Sequence, residues 1–342
     1  MSARCSDNLY VVSKGIRRTH HEGTDPFKEK HIPISAVKRH IDQKAYLALA
    51  FVCIVWGISW VGTREAVQYV PAFQMVGIRQ LIAGSIFVLY FLYRRTRMPN
   101  RKEWRMIIFL SIINFMISQG LSTLGVKYTT AGLGAIIGAI FPLWLVLIIT
   151  LRGRTKLPPM TWVGIFVGFA GVCTVFYEHL SMLFNFTFLG GIVLGLIASF
   201  TWAYGTLLTR DFALDYNPYF SIGWQMLVAG VVLTTVSTLT GNTIPVIDIT
   251  AYAWAVILFL TIISSVFAFL AYLYALQKLP TSLVSVYAYI NPIVAVMTGA
   301  LLIGEPLSLL IVLGSVITLA GVYIVNKAMQ KDLIAKARIA QK

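Results

Sequence analysis

From residue 46 to residue 326 the chain is a series of long apolar runs joined by short polar links. Ten runs can be bounded: 46–63, 72–93, 104–124, 130–150, 160–177, 187–208, 219–239, 251–276, 281–302 and 306–326. Each is about as long as the roughly 20 residues that cross some 30 Å of hydrocarbon as a helix. In lipid the backbone must satisfy its own polar groups, which leaves helices or closed barrels. A barrel strand alternates with period two, and these runs are continuous. A soluble α/β protein with buried helices needs amphipathic outer helices, and none follows residue 46. The pattern predicts an all-α integral membrane protein with ten transmembrane helices.

The first 45 residues are polar and mixed in charge. They lack the positive–apolar–small order of a signal peptide and read as a cytoplasmic tail. Residues 328–342 read as a second, basic tail.

Composition agrees with this class. Hydrophobic residues make up 58% of the chain and charged residues 12%, against roughly 25% charged in soluble domains. The net charge of +15 could indicate nucleic acid, but its placement points elsewhere. With the N-terminus inside, only Arg64, Lys127 and Arg79 among the 28 Lys and Arg fall away from the cytoplasmic side. That is a strong positive-inside bias. It supports ten crossings and two cytoplasmic termini, and it directs the basic loops to anionic lipid headgroups rather than to nucleic acid. Cys5, Cys53 and Cys173 show no metal or disulfide spacing,.

The two halves resemble each other. GIRQLIAG at 77–84 matches GWQMLVAG at 223–230, and Trp56 and Arg64 have counterparts in Trp202 and Arg210, 146 positions on. Later the offset is 150, pairing Pro142 with Pro292, Gly164 with Gly314 and Gly171 with Gly321. Five helices per half is an odd number, so the repeats, 46–177 and 187–327, should be inverted around a central cavity. Inverted repeats are the usual geometry of alternating access.

Helical spacing then nominates cavity faces. The first run offers Trp56, Ser59, Trp60 and Thr63; the third Asn114, Ser118 and Gly125, with Gln119 and Ser122 beside them. The sixth offers Ser199, Trp202, Thr206 and Thr209; the eighth Ser264, Ala268 and Tyr272; the ninth Ser285, Tyr289 and Pro292. Small-molecule sites are mostly apolar with a few placed polar groups. Single Ser and Thr residues more often bond to helices, whereas Trp56, Trp202, Tyr272 and Tyr289 divide evenly between cavity and packing. Such aromatics suit a cationic or zwitterionic solute, and equally an aromatic one.

Pro142 and Pro292 fall mid-run, where proline removes a backbone bond and bends a helix. Gly132, Gly134 and Gly138 are small residues suited to close helix approach. Arg79 is the one charge deep within a run, eight residues from its start. A charge there should face protein or a water-filled cavity. Anchoring to a backbone carbonyl or to Glu65 is the favoured reading over substrate contact. Glu305, before Pro306, suits the start of the tenth helix through the helix dipole and proline's fit in a first turn.

No phosphate-binding loop, zinc-protease helix or nucleophile elbow occurs,. No histidine lies in a run. The sequence implies no enzyme, no metal and no cofactor.

WGISWVGTREA at 56–66, TTAGLGAIIGAIFP at 129–142, YLYALQKLPTSLVSVYAYINP at 272–292 and LIGEPLSLLIVLGSVITLAGVYIV at 302–325 resemble the EamA-type transporters of the drug/metabolite transporter superfamily. The resemblance covers residues 46–327. It implies a ten-helix permease of a bacterial inner membrane that exports or exchanges amino acids and other small metabolites. It also implies a cavity formed by helices one, three, four, six, eight and nine, which brings Trp56, Ser118, Trp202, Tyr272 and Tyr289 near the path. The family's Gly-Glu-Pro element falls on Gly304, Glu305 and Pro306, while Thr155 stands at the matching place in the first half. Nucleotide-sugar carriage and a scaffold role are the alternatives. Monomer and homodimer both remain open.

Overall fold

The computed structural model describes residues 42–151, 158–178, 184–212, 216–279 and 281–339. The expected tail through residue 41 lies outside them, as does Thr155. The helices are α1 (Gln43–Tyr69), α2 (Ala72–Tyr93), α3 (Arg101–Tyr128), α4 (Ala131–Leu151), α5 (Pro159–Glu178), α6 (Phe186–Phe212), α7 (Pro218–Leu239), α8 (Ala251–Lys278), α9 (Tyr287–Ile303) and α10 (Leu309–Ile339). The protein is an all-α, multi-pass membrane protein. Among the described residues, seven helices are long and apolar enough to cross a bilayer. Among the described residues the apolar parts of the other three are Pro159–Gly171, Tyr287–Ile303 and Leu309–Val325, each below that length.

Polar residues at the links start the helices. Asp42 accepts from the Ala45 amide, Asn217 from those of Tyr219 and Phe220, and Thr250 from that of Ala253. At α3, Asn100 and Glu103 form a reciprocal capping box, and Arg97 pairs with Glu103 at 2.5 Å. These contacts satisfy amides that have no partner within the helix. The last helix does not stop at 327. It continues to Ile339 through the segment expected to be a separate tail.

Apolar faces turned outward, as at Phe166, Phe169 and Leu301, are exposed. Lipid tails are as apolar as these side chains, so helix association here depends on close packing. The helix pair α2–α7 and the pair α5–α10 pack most intimately, and the repeated glycine positions make that possible. A Cβ on Gly84 would lie 2.5 Å from the Leu227 nitrogen and 2.9 Å from the Gly223 carbonyl. One on Gly164 would lie 2.7 Å from the Gly321 carbonyl.

Four irregularities escape the sequence pattern. Helices α3 and α8 each contain a π-helical segment, Ile112–Gln119 and Phe259–Phe267. Helix α4 is interrupted at residues 139–140, so Pro142 opens its second part, Phe141–Leu151, instead of bending its middle. That place suits proline, whose missing N–H costs nothing in a first turn. The ninth run is split as well. A short helix, Thr281–Val284, and a turn at 285–286 precede α9, and Pro292 lies in the second turn of α9.

Candidate functional site

A cavity of about 120 Å³, partly open to solvent, lies between α1, α2, α3, α4, α6 and α9. Its wall on α1 runs from Trp56 through Ser59 and Trp60 to Thr63. These positions share one face and climb toward the Tyr69 end of the helix. Ser118, Gln119, Ser122 and Thr123 face it from α3, and Ala198, Ser199 and Trp202 from α6. Gly134 and Gly138 do not bring two helix backbones together. They make room for the Trp60 ring, 3.0 Å from a Cβ placed on either.

The deep end is aromatic. Trp56 contacts Tyr272, Tyr287, Phe269 and Trp202 at centroid distances of 5.0, 5.1, 5.3 and 6.0 Å. Its indole N–H donates to the Ser264 carbonyl at 3.1 Å. The Trp202 indole donates to the Tyr287 hydroxyl at 2.7 Å. The edge-on and tilted rings, with both indole donors used, hold a fixed floor. Beyond it, Leu49, Val52, Phe115, Leu273, Leu276 and Val284 belong to one buried apolar cluster. The cavity is therefore polar on one side of the Trp56–Tyr287 layer and closed on the other.

Six of the expected cavity residues line this space: Trp56, Ser59, Trp60, Ser118, Gln119 and Trp202. Five do not, and each has a structural engagement. Asn114 donates to Thr209 Oγ1 and Gln225 Oε1 at 3.2 and 3.3 Å. The hydroxyls of Thr206 and Tyr272 bond at 3.2 Å behind the aromatic floor. Ser264 supplies only its carbonyl, to Trp56. Tyr289 donates to the Val322 carbonyl of α10 at 2.7 Å. Tyr287 and Asn291 line the cavity in its place.

For Tyr289 the cause is phase: spacing counted from Ser285 crosses the turn that precedes α9. For Asn114 it is depth: Asn114 and Ser118 both bond to α6, Asn114 at Thr209 and Ser118 at Ala198 beside the cavity. Asn291, with its amide oriented to donate, reaches the carbonyls of Tyr287 and Cys53 at 3.0 and 2.8 Å. A polar residue four positions after a tyrosine was the available signal for this face.

Arg79 also forms part of the wall. Only 4% of it is exposed, and its Nε donates to Ser265 Oγ, on the π segment of α8, at 2.6 Å. The expected partner Glu65 instead hydrogen-bonds Tyr252. Among the described residues the one salt bridge is Arg97–Glu103, so no carboxylate neutralises Arg79. At the rim Arg64 donates to the carbonyls of Val126 and Lys127, at 3.2 and 2.7 Å. A cation there suits the negative C-terminal end of α3.

Glu305 does not cap its own helix. Its carboxylate accepts from the amides of Ala131 and Gly132, at 2.7 and 3.2 Å, at the start of α4. Thr130 accepts from Leu133 at the same helix end. Pro306 lies in the link before α10, and Ser308 caps α10 through Ile311 at 3.1 Å. Gly304 adopts φ +65°, a left-handed conformation that favours glycine, and reverses the chain so that Glu305 returns to α4.

No group of three or more His, Cys, Asp or Glu side chains suited to a metal occurs among the described residues. The profile of the EamA-like transporter family matches residues 43–177 and 189–327. The uncharacterized transporter YvbV of Bacillus subtilis is 25% identical over 300 residues, covering 86% of this chain and 96% of that one. The uncharacterized inner membrane transporter YedA of Escherichia coli K12 is 28% identical over 76% of this chain and 83% of its own. A solved crystal structure shares the fold, with a TM-score of 0.63 at 16% identity, over 82% of this chain and 96% of that one.

Proposed function

The chain belongs to the EamA-like transporter family, and from that premise we propose that it is a secondary permease for a small organic metabolite. An amino acid is the leading cargo and export the leading direction. Residues 46–177 and 187–327 act as two inverted five-helix units that alternate around the cavity. The observation that carries this reading is the cavity itself. Polar side chains line its open part, and the Trp56–Trp202–Tyr287 layer with the apolar cluster behind it blocks the opposite side. A path open to one side and sealed to the other is one of the two states that alternating access requires.

The paired packing of α2 with α7 and of α5 with α10 supports the same reading. Each pair joins a helix of one unit to its sequence-matched helix of the other. The positive-inside bias places both termini in the cytoplasm, in an inner membrane like the one named for the Escherichia coli relative. The cavity then faces away from the cytoplasm. A nucleotide-sugar carrier would need a basic cavity for its phosphates, and the lining offers Arg79 alone. Purified full-length protein in proteoliposomes, loaded with a mixture of amino acids, tests the reading by counterflow of each labelled species. Saturable, protein-dependent exchange of at least one is expected. No exchange by folded, inserted protein would overturn it.

A further inference from the structure

Arg79 occupies a position that its sequence match treats differently. Gln225, 146 residues on, is equally buried, at 1% exposure. Both ends of its amide are engaged: Oε1 accepts from Asn114 at 3.3 Å, and Nε2 donates to Ser221 at 3.0 Å. A neutral side chain therefore completes that helix contact. At 79 the chain instead carries a guanidinium with five donors. Nε alone is engaged, by Ser265. The terminal nitrogens have no partner among the described residues, and the side chain forms part of the cavity wall. Elsewhere in the cavity lining, on α6, Ser199 Oγ is buried and without a partner. Fold packing alone would be served by glutamine. An uncompensated charge kept near the membrane interior marks a functional site.

We propose that Arg79 binds the carboxylate of the transported solute, and that the cavity selects small monocarboxylates whose remaining body lies against Trp56, Trp202 and Tyr287. This rests on the permease reading and names its substrate class. The planar fork of arginine matches the two oxygens of a carboxylate. The Ser265 contact fixes the fork by its Nε and leaves the outer edge free. One guanidinium balances one carboxylate. A phosphomonoester dianion would call for a second cation, and no other Lys or Arg lines the cavity. The aromatic floor offers apolar ring faces to the rest of the molecule.

Thermal shift and tryptophan fluorescence of the purified full chain test this with matched probes. These are 3-phenylpropionate, 4-methylpentanoate and L-phenylalanine, their three amides, and phenyl phosphate. In the wild-type protein at least one carboxylate should bind at least about tenfold more tightly than its amide. Arg79→Gln should abolish that preference, and Arg79→Lys should recover only part of it. Amides binding as well as carboxylates would overturn the assignment and leave the permease reading standing. Tighter binding of phenyl phosphate would overturn the monocarboxylate class. Binding by neither series would overturn the monocarboxylate assignment, while the permease reading is decided by exchange in proteoliposomes. The wild-type comparison of acid with amide needs no variant, so it decides even if Arg79→Gln fails to fold.

Discussion

Removing the Glu305 carboxylate should loosen α4 and leave α10 unaffected. The side chain reaches across the fold to accept from Ala131 and Gly132, two of the amides that the first turn of α4 leaves unpaired. Glu305 is half-buried, so water can recover part of what is lost. Loss of a side-chain cap costs about 1–2 kcal/mol, and loss of a negative charge at the positive helix end costs about 0.3–1 kcal/mol more. Glu305→Ala should therefore destabilise by about 2 kcal/mol, summing those two terms. Glu305→Gln keeps one acceptor oxygen and should lose about half as much. At roughly 2 °C per kcal/mol for a chain this long, apparent Tm in detergent should fall by about 4 °C and 2 °C.

A double-mutant cycle identifies the helix involved. Thr130→Ala removes the other acceptor at the same end, so it should couple with Glu305→Ala. Ser308→Ala, at the start of α10, should add to it independently. Unchanged Tm in Glu305→Ala, or coupling to Ser308 without coupling to Thr130, would refute the reasoning.

Two further outcomes follow from the packing. Tyr287→Phe removes the acceptor for Trp202 in the cavity wall and should lower both exchange in proteoliposomes, several-fold, and Tm, by about 2 °C; Tyr289→Phe, which loses its bond to Val322, should lower Tm by about 2 °C, for one hydrogen bond of about 1 kcal/mol, and spare exchange. Gly84→Leu forces a side chain against the backbone of Leu227 and Gly223 and should abolish folded, monodisperse protein on size exclusion, whereas Gly190→Leu, where a Cβ meets nothing within 4 Å, should be tolerated.

Much of the site was readable because it lies on regular helix. Trp56, Ser59 and Trp60 on α1 and Trp202 on α6 follow α-helical spacing without interruption, so counting along the sequence places them on one wall. Spacing fails where the backbone departs from that period, as in the turn before α9, which exchanges Tyr289 for Tyr287. Spacing also cannot say how far along a face the cavity extends: Asn114 and Ser118 both bond to α6, and only Ser118 lines the cavity.

The sequence by itself determined that this chain is helical, crosses a membrane repeatedly and carries a buried cation at residue 79. Uninterrupted apolar length and charge placement are local properties, and lipid imposes the same demand on every segment. Only the tertiary structure decided what the buried groups meet. Arg79 finds Ser265 rather than Glu65, and Glu305 finds the start of α4 rather than its own helix. Those partners lie 174–186 residues apart in the chain, where no periodicity extends. They meet because small residues let particular helices approach closely, and that is settled by the packing of the whole bundle.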